Sequence, residues 1–368
     1  MRSPTGGLAD VSQPEAGDRG HDDHNHHSGD LGRAPGVLSA DTVLPLAMGS
    51  VGPAVRDLQE RLAALGFSPS GDLTGVFGLA TRSAIEAFQH RRGLRVDGIC
   101  GPQTWETVVE AGFRLGDRAL YRRVPALRGD DVAELQQRLG ALGFDAGRVD
   151  GIFGDHTAAA LTAFQSDAGL PPDGIAGTMT VSELQRVQAR HQAPKLVSAV
   201  RERELLRSSP PTLAGRHVAL GETGGLSTIL AALRRRLVGD GARVTSLHHP
   251  DGSAQAEVAN RAGADVYVGL LLQPGTPGCR TAYYAGYRDE SPTGRHLAEL
   301  VQHATATSLA ITDLGIRGMS LPVLRETRMP AVIVEVGPAQ LVVQGASTLA
   351  NAVASALSTW VGSPWNEG

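Results

Sequence analysis

The run AVIVEV at 331–336 is apolar except for one acidic residue, Glu335, and it decides the fold of the C-terminal part of the chain. A second apolar run, ADVYVGLLL at 264–272, precedes it. Short apolar runs of this kind are typical of strands that are buried on both faces of a parallel sheet. Stretches with helical periodicity separate the runs, so strands and helices alternate. This pattern predicts an α/β domain with a mostly parallel sheet over 214–362.

The same periodicity places the elements of this domain along the chain. Strands are predicted at 217–220, 242–247, 264–272, 281–286 and 331–336. Helices are predicted at 226–238, 252–262, 292–309 and 345–361.

An internal repeat precedes the α/β domain. VRDLQERLAALGF at 55–67 returns as VAELQQRLGALGF at 132–144, and GVFGLATRSAIEAFQ at 75–89 returns as GIFGDHTAAALTAFQ at 151–165. Within each copy the leucines recur three and four residues apart, which is the spacing of one helical face. Each copy therefore predicts a small all-α module of three short helices.

The chain is predicted to consist of five parts. A disordered tail at 1–42 is followed by the repeats at 43–114 and 121–188, a linker at 189–213 and the α/β domain at 214–362. Within the linker, a helix is predicted from Val197 to Leu206, and the Pro210-Pro211 pair ends it. The tail contains HDDHNHH at 21–27, which is either a weak metal-binding tract or a solvated polar segment.

Length, composition and net charge limit the classes of function that this protein can have. The 368 residues are long enough for several domains with cores of their own, and because only 4% are aromatic these cores must be aliphatic. A formal net charge of −4 argues against a nucleic-acid binder, which needs a basic surface. Neither an N-terminal signal segment nor an apolar run long enough to span a membrane is visible, so a cytoplasmic location is expected.

The repeats share the motifs LQ..L..LGF, G.FG..T..A...FQ and DGI.G..T. With these motifs the repeats resemble the peptidoglycan-binding domain type 1 family over 44–112 and 122–188. The resemblance implies that they bind muramyl peptide or glycan. Judged from their residue types alone, most of these positions belong to the core and the turns of the module. The alternative is therefore a module that binds other proteins and does not bind the cell wall.

In the α/β domain, ANRAGADVYV at 259–268 and VLRETRMPAVIVEVG at 323–337 resemble the zinc-dependent N-acetylmuramoyl-L-alanine amidases of the type 3 class. The resemblance implies one zinc held by His, Glu and His, with a second glutamate as the general base on zinc-bound water. Here Thr223 stands at the first histidine position, Leu271 stands at the second, and the segment with the glutamate ligand is deleted. Only the general-base position is kept, as Glu335. Zinc is therefore expected to be lost, with no other metal or cofactor in its place.

Nearby polar residues are candidates for a rebuilt metal site: Glu222, His217, His248 and His249. Glu222 is expected to face the pocket beside Glu335. Two carboxylates without an imidazole would make a weak site for a hard cation rather than a hydrolytic zinc site. On a buried strand, Glu335 is expected to form an ion pair, with Arg325 as its partner.

Two repeats followed by a degenerate amidase domain also resemble the cytoplasmic pseudo-amidases of actinobacteria. This resemblance implies a regulator of peptidoglycan precursor synthesis that acts through protein partners. The partners implied are the UDP-N-acetylglucosamine enolpyruvyl transferase, a lipid II flippase, a forkhead-associated protein and a Ser/Thr kinase. Family members carry phosphothreonines in a C-terminal extension that this sequence lacks, which leaves Thr42 as the candidate phosphosite. The alternatives are an active amidase that hydrolyses peptidoglycan and a non-enzymatic sensor of muropeptides or precursors.

Overall fold

The computed structural model of the protein describes residues 44–188, 200, 202, 204, 206, 208–273 and 277–362. The predicted tail, the HDDHNHH tract and Thr42 lie outside the described residues. So do residues 197–199, 201, 203 and 205 of the helix predicted from Val197 to Leu206. In the part of the chain that is described, no helix is both long enough and apolar enough to cross a membrane.

Each repeat folds into three short helices, as predicted. The helices of the first repeat are α1 (Pro53–Ala64), α2 (Leu79–Arg91) and α3 (Pro102–Ala111), and those of the second are α4 (Asp130–Ala141), α5 (Asp155–Asp167) and α6 (Thr178–Gln188). The regularly spaced leucines and phenylalanines form a separate core in each repeat. An ion pair of 2.8 Å between Arg92 and Asp130 joins the two repeats.

Each repeat contains two copies of a hydrogen-bonded unit built on a buried glutamine. In one of them, Nε2 of Gln89 donates to Oγ1 of Thr104 at 3.1 Å and to the carbonyl of Ile99 at 3.0 Å. Its Oε1 accepts from the amide of Gly98 at 3.0 Å, and this glycine has a positive φ of 70°. The other three units are centred on Gln59, Gln136 and Gln165. What the sequence shows as two repeats is therefore four copies of one smaller unit.

The C-terminal domain is a six-stranded sheet with helices on both faces. Its elements are β1 (His217–Glu222), α7 (Ser227–Gly239), β2 (Arg243–His248), α8 (Gly252–Arg261), β3 (Val266–Leu272), β4 (Gly278–Tyr284), α9 (Pro292–Leu309), β5 (Thr312–Met319), α10 (Pro322–Glu326), β6 (Ala331–Gly337), α11 (Ala339–Gln344) and α12 (Ala346–Gly362). The strand order is β2-β1-β3-β6-β4-β5, and only the β4–β6 pair is antiparallel. The sequence did not predict β5, because its apolar residues are few, two glycines interrupt it and three of its 8 residues are solvent-exposed.

Alternate residues of the strands face two different layers. Residues such as Leu220, Val268 and Val334 pack in one cluster with the helices α7, α9 and α12. Their neighbours, such as Tyr267 and Ile333, pack in another cluster with α8 and α10. The second face is called the α8 face below, because it carries the candidate site.

Both repeats dock on the C-terminal domain around the short helix α10. Arg325 pairs with Glu110 at 2.8 Å, and both side chains are largely buried. Arg148 of the second repeat donates to the carbonyls of Leu324 at 3.2 Å, Thr327 at 3.2 Å and Met329 at 3.4 Å. Charged hydrogen bonds with buried partners are strong, so α10 is the place where the three modules are joined.

The loop after α2 adds a backbone contact to this docking surface. The amide of Ser320 donates to the carbonyl of Gly93 at 2.8 Å. Gly93 has a φ of 67°, and a Cβ at this position would lie 2.8 Å from the carbonyl oxygen of Ala285. Only glycine allows this close approach without strain.

Candidate functional site

Three of the residues singled out in the sequence meet at the carboxyl edge of the parallel strands. Thr223 follows the end of β1, and Leu271 and Glu335 lie near the ends of β3 and β6. Leu271 and Glu335 are directly opposite each other in the parallel register of these two strands. Carboxyl ends of parallel strands are where open α/β sheets bind ligands, so this edge is the candidate site.

Glu335 is buried, with only 6% of the residue exposed, and lies on the α8 face. Arg280 of β4 is its antiparallel partner in the register, on the side opposite Leu271. The carboxylate forms an ion pair with Arg95 of the first repeat, with 3.8 Å between Oε1 and Nη2. A side chain from a separate module thus reaches the carboxylate of Glu335.

The expected ion pair between Glu335 and Arg325 is wrong. Arg325 lies on α10 and is used in docking the repeats, through Glu110 and through a 2.7 Å hydrogen bond from its Nε to the carbonyl of Asp150. The sequence could not reveal this, because the competing acceptors come from modules that are distant along the chain. Arg95, the residue that sequence reasoning missed, lies in an ordinary repeat turn with no distinguishing motif.

The expectation that Glu222 lies beside Glu335 is also wrong. Glu222 is opposite Leu270 in the register with β3, so its side chain belongs to the other face of the sheet. Its Oε2 accepts from the amides of Gly224 at 3.2 Å and Leu226 at 2.9 Å, and it thereby holds the turn into α7.

The imidazole of His248 contacts the same carboxylate at 2.9 Å. Burial raises the pKa of Glu222, but the hydrogen bonds from His248 and the two amides outweigh it and leave the pKa below its ordinary value. The group is thus a structural carboxylate.

The remaining histidines named above do not converge on Glu335. His217 begins β1 at the opposite edge of the sheet, and its Nε2 lies 2.8 Å from Oγ1 of Thr245. His249 is exposed and contacts the backbone of Asp251.

The donor set at the edge does not fit a zinc ion. A hydrolytic zinc site needs three protein ligands with lone pairs and one open position. Thr223 offers an exposed hydroxyl, Leu271 offers no donor, and Glu335 is committed to Arg95. Among the residues that the structure describes, no group of three or more His, Cys, Asp or Glu side chains is placed to hold a metal ion.

A large cleft lies elsewhere in the molecule, between the second repeat and the amino ends of the strands. Its volume is about 590 Å³, and Arg148, His156, Arg216 and Asp265 are among its lining residues. Neither Thr223, Leu271 nor Glu335 lines it. The cleft belongs to the module interface and is not the candidate site.

Comparisons with known proteins agree with this architecture. The family model for a peptidoglycan binding domain matches residues 51–108 and 128–184, and the N-acetylmuramoyl-L-alanine amidase model matches 219–340. Over 331 residues the chain is 35% identical to the N-acetylmuramoyl-L-alanine amidase CwlM of Mycobacterium tuberculosis, which covers 79% of this chain and 81% of that protein. It is 34% identical over 167 residues to the amidase CwlL of Bacillus licheniformis, covering 40% of this chain and 46% of that protein.

Among solved structures, the amidase Ami1 of Mycobacterium smegmatis matches with a TM-score of 0.38 and 15% identity, covering 41% of this chain and 99% of that chain. An amidase of Clostridium difficile 630 matches with a TM-score of 0.36 and 19% identity over the same shares. The two repeat matches, the amidase match and the extensive identity to CwlM lead to one conclusion. The chain belongs to the N-acetylmuramoyl-L-alanine amidase family, as a member in which two peptidoglycan-binding modules precede an amidase-like domain.

Proposed function

We propose that this protein is a catalytically inactive amidase homologue that regulates peptidoglycan precursor synthesis through protein partners. One observation carries the proposal: at the edge where the family resemblance places a zinc site, the ligand positions hold Thr223 and Leu271. Zinc makes hydroxide available at neutral pH by lowering the pKa of a bound water. Without ligands to hold the metal, the described residues at this edge offer no equivalent way to activate water.

The environment of Glu335 supports the same proposal. A general base must lie within hydrogen-bond reach of the proton that it removes. The charged group nearest to Glu335 is the guanidinium of Arg95, 3.8 Å away, which belongs to a module docked on the same domain. The carboxylate therefore contributes to an ion pair between modules.

Regulation through partners rests on the resemblance to actinobacterial pseudo-amidases. We propose the UDP-N-acetylglucosamine enolpyruvyl transferase as the main partner. A lipid II flippase, a forkhead-associated protein and a Ser/Thr kinase are further candidates, and the location proposed is the cytoplasm. Thr42 is the proposed phosphosite, and a phosphate there would supply the charged oxygens that a phosphopeptide-binding domain recognises.

The inactivity is tested by elemental analysis for zinc and by incubation of purified peptidoglycan with the full chain, with and without added zinc. We expect no bound zinc and no release of stem peptides. The matched control is Glu335→Gln, which should release no fewer and no more stem peptides than the unsubstituted chain. Zinc near one per chain, with stem-peptide release that Glu335→Gln abolishes, would instead establish an active amidase.

The regulatory role is tested by adding the full chain, phosphorylated and unphosphorylated, to the purified transferase. We expect the turnover rate of the transferase to change in at least one of the two states. The control is Thr42→Ala, treated with the same kinase, which should lose any change that depends on phosphate at that position. No change of rate and no complex in either state would refute the proposed partner.

The active amidase remains the second candidate, because Glu335 keeps the general-base position and both named relatives are called amidases. The zinc and hydrolysis measurements decide between the two.

A further inference from the structure

Three arginines are here called the arginine surface: Arg280 and Arg317, which lie on the α8 face of the sheet, and Arg95, which reaches Glu335 on that face. Arg280 is directly opposite Glu335 on the neighbouring strand. Arg317 of β5 is opposite Ala282, two residues further along the same face of β4. Arg95 reaches the same place from the first repeat.

Among the residues that the structure describes, the charges of the arginine surface are only partly balanced. Of the three arginines, Arg95 alone has an acidic partner within this part of the chain, and this is Glu335. Arg280 and Arg317 are partly buried, and among the described residues neither has an ion pair or a side-chain hydrogen bond. Three guanidinium groups against one carboxylate leave an excess of positive charge. Like charges that lie close together repel one another, so this face is suited to an anion.

We propose that the arginine surface binds a diphosphate group, and that the protein thereby recognises nucleotide-linked precursors of peptidoglycan. Guanidinium groups bind phosphate oxygens through two parallel N–H···O bonds, and several of them together match the charge of a diphosphate. A nucleotide-linked sugar carries a diphosphate, whereas the polymerised glycan and its stem peptides carry carboxylates. The inference rests on the proposed function and names the ligand to which such a regulator responds.

The position of Arg95 connects this site to the docking of the repeats. Its loop is held against the C-terminal domain by the 2.8 Å hydrogen bond from Ser320 to Gly93. Arg280 and Arg317 belong to the sheet, so a bound diphosphate bridges the first repeat and the amidase-like domain. A ligand that contacts both modules stabilises their docked arrangement by its binding energy.

The test is calorimetric titration of the full chain with inorganic pyrophosphate at low ionic strength, where surface charges are weakly screened. We expect saturable binding that Arg280→Ala and Arg317→Ala each weaken by about tenfold or more, since each removes charged hydrogen bonds. The matched control is Arg234→Ala, an exposed arginine on α7 at the other face, which should leave the affinity unchanged.

Glu335→Gln is expected to change the affinity for pyrophosphate in the opposite direction from the arginine substitutions. It removes the negative charge from the arginine surface while keeping the shape of the side chain, so pyrophosphate should bind several-fold more tightly. A merely structural role of Glu335 would not increase the affinity. Unchanged or weaker binding in Glu335→Gln would overturn the proposed site.

N-acetylmuramoyl dipeptide is the second probe, because it carries a carboxylate and no phosphate. We expect no binding to the arginine surface. The proposal is overturned by failure to bind pyrophosphate, by binding that survives both arginine substitutions, or by preference for the muramoyl dipeptide. Hydrolysis of peptidoglycan by the protein would refute the proposed inactivity but would not change the result of the pyrophosphate titration. Failure of the proposed function and failure of the proposed binding site can therefore be distinguished.

Discussion

Replacing Arg325 by methionine is expected to destabilise the protein more than any other single change at the module interface. The guanidinium pairs with Glu110 at 2.8 Å, donates to the carbonyl of Asp150 at 2.7 Å and is nearly enclosed by protein. Methionine keeps much of the apolar stem and removes the charge. The carboxylate of Glu110 then stays buried without a partner.

The expected loss of unfolding free energy follows from the contacts of Arg325 with Glu110 and Asp150. Breaking one side of a buried ion pair costs about 3–5 kcal/mol of unfolding free energy, because the remaining charge is uncompensated. Burial raises the pKa of Asp150, and Arg325 is among the groups that oppose this rise. Without Arg325, the pKa of Asp150 rises further, so the folded state holds the proton of Asp150 to higher pH than the unfolded state does. Stability then falls as the pH rises, so the loss is larger at pH 8 than at pH 5.

Urea unfolding of the full chain at both pH values measures this difference. The matched control is Arg128→Met, which breaks a 2.7 Å pair with Glu326 that is more exposed and should cost about 0–1 kcal/mol. The double variant Arg325→Met with Glu110→Leu should recover part of the loss, since no lone charge remains. A loss no larger than that of Arg128→Met, or one independent of pH, would refute this account of the interface.

Three further changes test other parts of the structure. Gln136→Leu should cost about 1–2 kcal/mol more than Gln165→Leu in urea unfolding. It leaves unpaired groups around the partly buried Asp150, whereas the counterpart Asp173 is exposed. Equal losses would contradict this. Burial raises the pKa of Asp289 to about 6, so stability should fall as the pH rises from about 4 to 6. Asp289→Asn should make the free energy of unfolding less dependent on pH in this range. An unchanged pH dependence would show that other groups cause it. Gly93→Ala should loosen the first repeat, seen as faster hydrogen exchange at Ser320, because its Cβ would approach the carbonyl of Ala285; unchanged exchange would show that the loop accommodates a side chain.

Most of the fold could be predicted from local patterns. The bounds predicted for α9, 292–309, are those observed, because Ser291 caps the helix through the amide of Gly294 and Pro292 starts it. The leucine-rich runs at 55–67 and 132–144 contain helices, and each of the five predicted strands overlaps an observed strand of the sheet. The sequence did not indicate β5, because this segment is a strand through its pairing with β4 and not through its own composition.

The candidate site was predictable only in part. Thr223, Leu271 and Glu335 could be named from sequence motifs, and their roles stay predictions. The face on which Glu222 lies depends on strand register, which a single sequence does not show. The partner of Glu335 could not be predicted, because Arg95 reaches it through the docking of a separate module. The neighbours of a buried charge are set by tertiary packing, and local sequence carries little information about them.

The hydrogen bonds that Arg148 makes with α10 limit how freely the modules can be exchanged between proteins. The final carbonyls of a helix need partners, and three carbonyls at or just beyond the end of α10 find theirs on a residue of the second repeat. A repeat transplanted from a free-standing wall-binding protein would leave those carbonyls open unless it brought an arginine to the same place. In this chain, a change of Arg148 would therefore weaken the end of α10 in the neighbouring domain as well as the contact between the two modules.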